Sequence, residues 1–190
     1  MRAFIAITLT PDIKERLSRI QTNLKECGAD IRWVLPENMH LTLRFLGEIN
    51  EGLLNNVIRV TEETAHNHSK FKIGLSGIGT FPDIDHPKVI WVGVKDGDKK
   101  IENLAYALEK GMEALEIIQE KKPFSCHITL GRTRSPKNKE KLMAAVNNLG
   151  EDLYKEGISF TAERITVFKS RLTPGGAVYE ALKEITLRDT

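Results

Sequence analysis

Residues 40–43 read HLTL, and residues 127–130 read HITL. The chain holds five histidines among 190 residues, and two of them precede nearly the same three residues, 87 positions apart. On a strand, alternate side chains share a face. His40 and Thr42 therefore share one face and Leu41 and Leu43 the other, as do His127 and Thr129 against Ile128 and Leu130. The leucine face belongs in a core. The other face sets an imidazole beside a hydroxyl. The same 87-residue offset carries Val92 of VIWVGV onto Ile5 of AFIAITL, Ile158 of ISFTAERITVF onto Phe71 of FKIGLSGIGTF, and Val178 of AVYEAL onto Trp91. Strand, helix, HxTL strand, helix, strand thus occurs twice, with VIWVGV closing the first copy and opening the second. Two copies are too few for a solenoid. They predict two similar lobes about a pseudo-two-fold axis, with both polar faces meeting in a cleft.

The elements between the motifs agree. AFIAITL is apolar and β-branched, a buried strand. Thr10, Pro11 and Asp12 form a helix start, Ile13, Leu17, Ile20 and Leu24 follow at helical spacing, and Gly28 can end that helix. Leu54, Val57, Ile58 and Thr61 mark a second helix, and Ile101, Leu104, Ala105, Leu108, Met112 and Leu115 a third. Leu142, Ala145, Val146 and Leu149 mark a shorter fourth. FKIGLSGIGTF, VIWVGV, ISFTAERITVF and AVYEALKEITL read as strands. The short turn-like link PDIDHPK between FKIGLSGIGTF and VIWVGV favours antiparallel pairing over a doubly wound parallel sheet. The expected fold is α+β and bilobal, each lobe an antiparallel β-sheet with helices on its outer side, the whole of 1–190 forming one domain.

Composition narrows the function. Apolar residues make up 41% and charged residues 28%, and the net charge is +2, so any basic footprint must be local. No apolar run is long enough to cross a membrane, the N-terminal stretch reads as a first strand rather than a signal peptide, and Cys27 and Cys126 form no disulfide framework. A cytoplasmic monomer without cofactor is expected.

A cleft with two imidazoles and two hydroxyls suits phosphodiester cleavage without a metal. A neutral imidazole takes a proton from attacking water, and an imidazolium returns one to the departing oxygen. Imidazole can hold either state near neutrality because its reference pKa is about 6.5. The threonine hydroxyls can donate to the non-bridging oxygens.

Other candidates are weaker. Cys126 precedes His127, but strand neighbours point to opposite faces, which argues against a thiol–imidazole dyad and for a buried structural cysteine. His66, His68, Asp83, Asp85 and His86 lack helical metal-ligand spacing and read as exposed polar positions. GLSGIG leads into Phe81 and Pro82, not a helix, so it is a poor dinucleotide loop. Arg132, Arg134, Lys137, Lys139 and Lys141 in GRTRSPKNKEK either track a phosphate backbone or form solvated surface. Arg44 falls on the His40 face of an ideal strand, for a phosphate or backbone contact or for solvent. Phe45 falls on the core face, which leaves Trp33 as the more open platform for a terminal base.

HLTLRFLGE and HITLGR resemble the paired HxTx motifs of the 2H phosphoesterase superfamily. SRLTPGGAVYEAL, and the layout of the whole chain, are similar to its RNA 2′,3′-cyclic phosphodiesterase branch, also called 2′-5′ RNA ligase. The resemblance implies hydrolysis of a 2′,3′-cyclic phosphate at an RNA end to a 2′-phosphate, on substrates such as tRNA fragments or small cyclic nucleotides. It implies that His40 and His127 are the acid–base pair, that Thr42 and Thr129 contact phosphate, and that Arg132 lies near it. Ligation to a 5′-hydroxyl is the reverse of the same steps, and a non-catalytic RNA-end-binding module is the reading from another class. Because Arg132 has Phe45 at its equivalent place, its charge is expected to hold His127 neutral, as the base, and to leave His40 as the acid.

Overall fold

The computed structural model describes residues 1–119, 123–174 and 176–189. Among these residues nine strands and four α-helices follow in the order β1 (Arg2–Thr8), α1 (Pro11–Lys25), β2 (Ile31–Trp33), β3 (His40–Glu48), α2 (Glu51–His66), β4 (Phe71–Phe81), β5 (Val89–Asp96), α3 (Asp98–Glu113), β6 (His127–Thr133), α4 (Lys139–Glu156), β7 (Ser159–Ala162), β8 (Arg164–Thr173) and β9 (Gly176–Thr186), with a 3-10 turn at Pro36–Asn38. Sequence signals explain most of them. Pro11 opens α1 from the extended Thr10, whose hydroxyl makes no capping bond. The Asn50 side chain caps α2 by accepting from Leu53 N at 2.8 Å. β2 was not legible, because three residues carry no periodicity. Glu163 interrupts ISFTAERITVF, which is two strands and not one.

All strands join one antiparallel sheet in the order β7-β4-β5-β6-β3-β1-β8-β9, with β2 also on β6. Its centre is the meeting of the two HxT strands, which touch through the single register pair Leu41↔Ile128. Farther along, β2 takes over that edge of β6 through Arg32↔Arg132 and Trp33↔Gly131. The halves on either side match as expected: β3-β1-β8-β9 against β6-β5-β4-β7.

The repeat in sequence is not the lobe in space. β4 belongs to the first copy yet pairs with β5 in the second half, and β8 of the second copy pairs with β1 in the first. The helices cross over too. α1 follows β1, but its Gln21 Nε2 donates to Leu130 O of β6 and Val34 O at 2.8 Å each. α3 follows β5, but its Glu109 pairs with Arg44 of β3. By sheet position VIWVGV is the counterpart of β1 alone, and β9 is the counterpart of β7.

Ile5, Ile7, Leu41, Leu43, Ile90, Val92, Ile128 and Leu130 are buried beneath the helices. Each such side chain contributes about 1.5–3 kcal/mol by leaving water. This burial anchors β3 and β6, and with them the polar face that the core does not use.

Candidate active site

β3 and β6 share one irregularity that shapes the cleft. Ile5 faces Arg44 while Ala6 faces Thr42, so Leu43 is an extra residue between them. Likewise Ile90 faces Gly131 while Trp91 faces Thr129, leaving Leu130 extra. A bulge puts two residues opposite one and reverses the faces beyond it. Before the bulge, His40, Thr42, His127 and Thr129 face the cleft and their leucine and isoleucine neighbours are buried, as the spacing predicts.

Beyond the bulge the ideal alternation fails, and two expectations are corrected. Phe45 is 49% exposed and lines the cleft instead of facing the core. Arg44 is 4% exposed; its guanidinium pairs with Glu109 and donates to Phe45 O and to Ile118 O, the latter at 2.7 Å. It is thus a backbone contact and not a solvated side chain. The same reversal brings Arg132, five residues after His127, onto the cleft wall beside Phe45. Trp33 also lines the cleft, half-buried.

The imidazoles are held alike. His40 Nδ1 lies 2.7 Å from Asn38 O, and His127 Nδ1 lies 2.8 Å from Ser125 O. A carbonyl only accepts, so each Nδ1 carries the proton of the neutral ring and each Nε2 is left to work. His40 Nε2 sits 3.0 Å from the Thr42 hydroxyl. Aromatic walls fix both rings: Phe4 at 4.8 Å and Tyr179 at 5.3 Å from His40, and Phe81 at 5.0 Å from His127.

Burial pushes the His40 imidazolium down to about 4, with the charges of Lys14 and His127 adding to it and the Asn38 carbonyl opposing. His127 is lowered too, by burial first and by Arg132, against the Ser125 carbonyl. Arg132 therefore acts on His127 as expected, but it does not separate the pair. Burial leads at both rings, so the neutral form is favoured at both in the open cleft.

The cleft has a volume of about 490 Å³. Arg2, Arg32 and Arg132 line it, with no aspartate or glutamate among its described lining residues. Arg134, Lys137, Lys139 and Lys141 lie outside this lining, and Lys139 Nζ donates to Asp85 O at 2.9 Å. Cys126 packs against the core, and burial pushes its thiol up to about 12, so it forms no dyad with His127. Among the described residues no three metal-ligating side chains gather, and no helix is long and apolar enough to cross a membrane. Sequence reasoning passed over Phe4, Arg2, Arg32 and Phe81. Tyr179 had a signal only in its place within SRLTPGGAVYEAL.

Two histidine–threonine pairs facing each other across a basic cleft, on a duplicated antiparallel frame, define a phosphoesterase of the two-histidine kind. The chain matches the family described as LigT like Phosphoesterase twice, over residues 7–91 and 92–179, and belongs to it. It is 31% identical over 188 residues to an RNA 2′,3′-cyclic phosphodiesterase of Methanothermobacter thermautotrophicus, covering 98% of this chain and 99% of the relative. It is 33% identical over 193 residues to one of Methanocaldococcus jannaschii, covering 97% and 99%. A crystal structure of a Thermus thermophilus protein is similar over 100% of this chain and 99% of its own, with a TM-score of 0.82 and 28% identity.

Proposed function

We propose that this protein hydrolyses 2′,3′-cyclic phosphates at RNA ends to 2′-phosphates, using His40 and His127 as a metal-independent acid–base pair. The observation that carries this reading is the matched anchoring of the imidazoles. Each Nδ1 is committed to a carbonyl two residues earlier, which leaves each Nε2 for proton transfer. Water attacks phosphorus in line with the 3′-oxygen. A neutral imidazole accepts the water proton, an imidazolium protonates the 3′-oxygen as its bond to phosphorus breaks, and the 2′-ester stays intact. The Thr42 and Thr129 hydroxyls and the Arg132 guanidinium stabilise the non-bridging oxygens, where negative charge grows. Both rings resist protonation in the open cleft. An incoming phosphate anion favours imidazolium and so supplies the missing proton state. Phe45, exposed beside the pair, stacks the terminal base. The cleft is built from one chain, so a monomer suffices.

The test is an oligonucleotide ending in a 2′,3′-cyclic phosphate, incubated with EDTA present. The expected product is a 2′-phosphate, and His40→Ala and His127→Ala each reduce turnover by about 10²–10⁴-fold. Activity lost on chelation and restored by a divalent ion refutes the metal-free mechanism. Tight binding without turnover refutes the enzyme reading and returns the RNA-end-binding module.

A further inference from the structure

We infer that Arg32 and Arg2 form a second phosphate site beside the catalytic pair, which takes the phosphodiester preceding the terminal nucleotide of an RNA chain. This rests on the function proposed above and names the substrate more closely. A cyclic phosphate carries one negative charge, and Arg132 is already beside it. Arg2 and Arg32 are then two further cations in a cleft whose described lining residues include no carboxylate. Elsewhere Arg16, Arg19, Arg44, Arg59 and Arg164 are each paired with a glutamate. Among the described residues, Arg2, Arg32 and Arg132 have no such partner; Arg134, Arg171 and Arg188 have none either, but they do not line this cleft.

Their placement also suits an anion. Arg32 and Arg132 are direct register partners on β2 and β6. Like charges opposite each other on antiparallel strands repel. Arg2 closes the arrangement from the first half, opposite Ser170 on β8, which in turn faces Tyr179 on β9. Tyr179 lines the same cleft as both guanidiniums, whose charges oppose the upward push of burial on its phenol. The β8–β9 hairpin comes close on the remaining side. A Cβ on Gly176, at φ +133°, would sit 3.0 Å from Arg32 Nη2, so the glycine leaves that guanidinium its space. Three guanidiniums from β1, β2 and β6 thus face one polar hollow.

The test compares three substrates: uridine 2′,3′-cyclic phosphate with a free 5′-hydroxyl, its 5′-phosphorylated form, and a dinucleotide ending in the same cyclic phosphate. The dinucleotide is expected to have about tenfold higher kcat/KM than the 5′-hydroxyl mononucleotide, mostly through KM, as one charge-assisted contact provides. Arg32→Gln and Arg2→Gln should each remove most of that advantage and leave the 5′-hydroxyl mononucleotide unchanged. Equal losses on both substrates, or no dinucleotide advantage in the unaltered protein, overturn the second site. An equal gain by the 5′-phosphorylated mononucleotide overturns the chain phosphodiester as its occupant. If nothing is turned over, the proposed function fails. Calorimetry with 3′-phosphorylated di- and mononucleotides then reads the site directly, and identical affinities in the unaltered protein overturn it.

Discussion

Protonating His40 is expected to destabilise the folded protein by a measurable amount. Its imidazolium is pushed from the ordinary 6.5 down to about 4. The unfolded chain therefore binds this proton below about pH 6.5, while the folded chain resists it until about pH 4. In that window the unfolded state holds more protons, so stability falls as the pH falls. Linkage converts the two values into about 3 kcal/mol lost between about pH 7 and about pH 4. His127 is lowered in the same direction and adds to the loss. The perturbation is His40→Phe, which keeps a ring among Phe4, Phe168 and Tyr179 but cannot titrate. Losing the bond to Asn38 O changes its stability at every pH, not the slope. Urea unfolding of both proteins across this range, in phosphate-free buffers, gives the comparison. Carboxylates titrate equally in the two. The unaltered protein should lose about 3 kcal/mol more than the variant. Parallel curves refute the argument that burial holds His40 neutral.

Glu109→Gln removes one carboxylate from the buried Arg44 guanidinium and should cost about 1.5–3 kcal/mol in denaturant unfolding. Phe45→Ala removes an exposed ring, so stability should stay within about 0.5 kcal/mol. Its KM for a cyclic nucleotide should rise by the equivalent of about 1–3 kcal/mol of stacking. Gly79→Ala drives a methyl into the Trp91 indole, which packs near His127. Displacing that indole should cost about 1–3 kcal/mol and lower turnover together with it, read by thermal unfolding and initial rates.

The histidines and threonines were legible because a repeated motif at a constant offset leaves two-residue alternation intact on both strands. The reach of that reasoning ends at Leu43 and Leu130. Each leucine looks like an ordinary core position, and nothing in its chemistry announces the extra residue that reverses the faces. Arg44 and Phe45 were therefore exchanged in the reading. Arg132 was found through resemblance, although alternation alone would have sent it inward. Arg2 and Arg32 were invisible for another reason. They reach the cleft from strand ends far apart in the chain, and only the pairing of β2 with β6 and of β1 with β8 brings them near. The split at Glu163 was hidden because its two pieces are both good strands, and only the sheet order shows that they serve opposite halves.

The crossing of elements between halves has a consequence for how the chain can be divided. Cutting in the link between β4 and β5 separates the two motif copies, but neither fragment holds a finished half of the sheet. The first keeps β4 without its partners β5 and β7, and the second keeps β8 without β1. Each also keeps the helix that covers the other's HxT strand, α1 over β6 and α3 over β3. Two such pieces expressed alone expose apolar strands and aggregate. Mixed, they supply each other's missing strand and helix and rebuild the cleft, so this protein should reconstitute by fragment complementation where an ordinary two-lobed chain would yield two independent folding units.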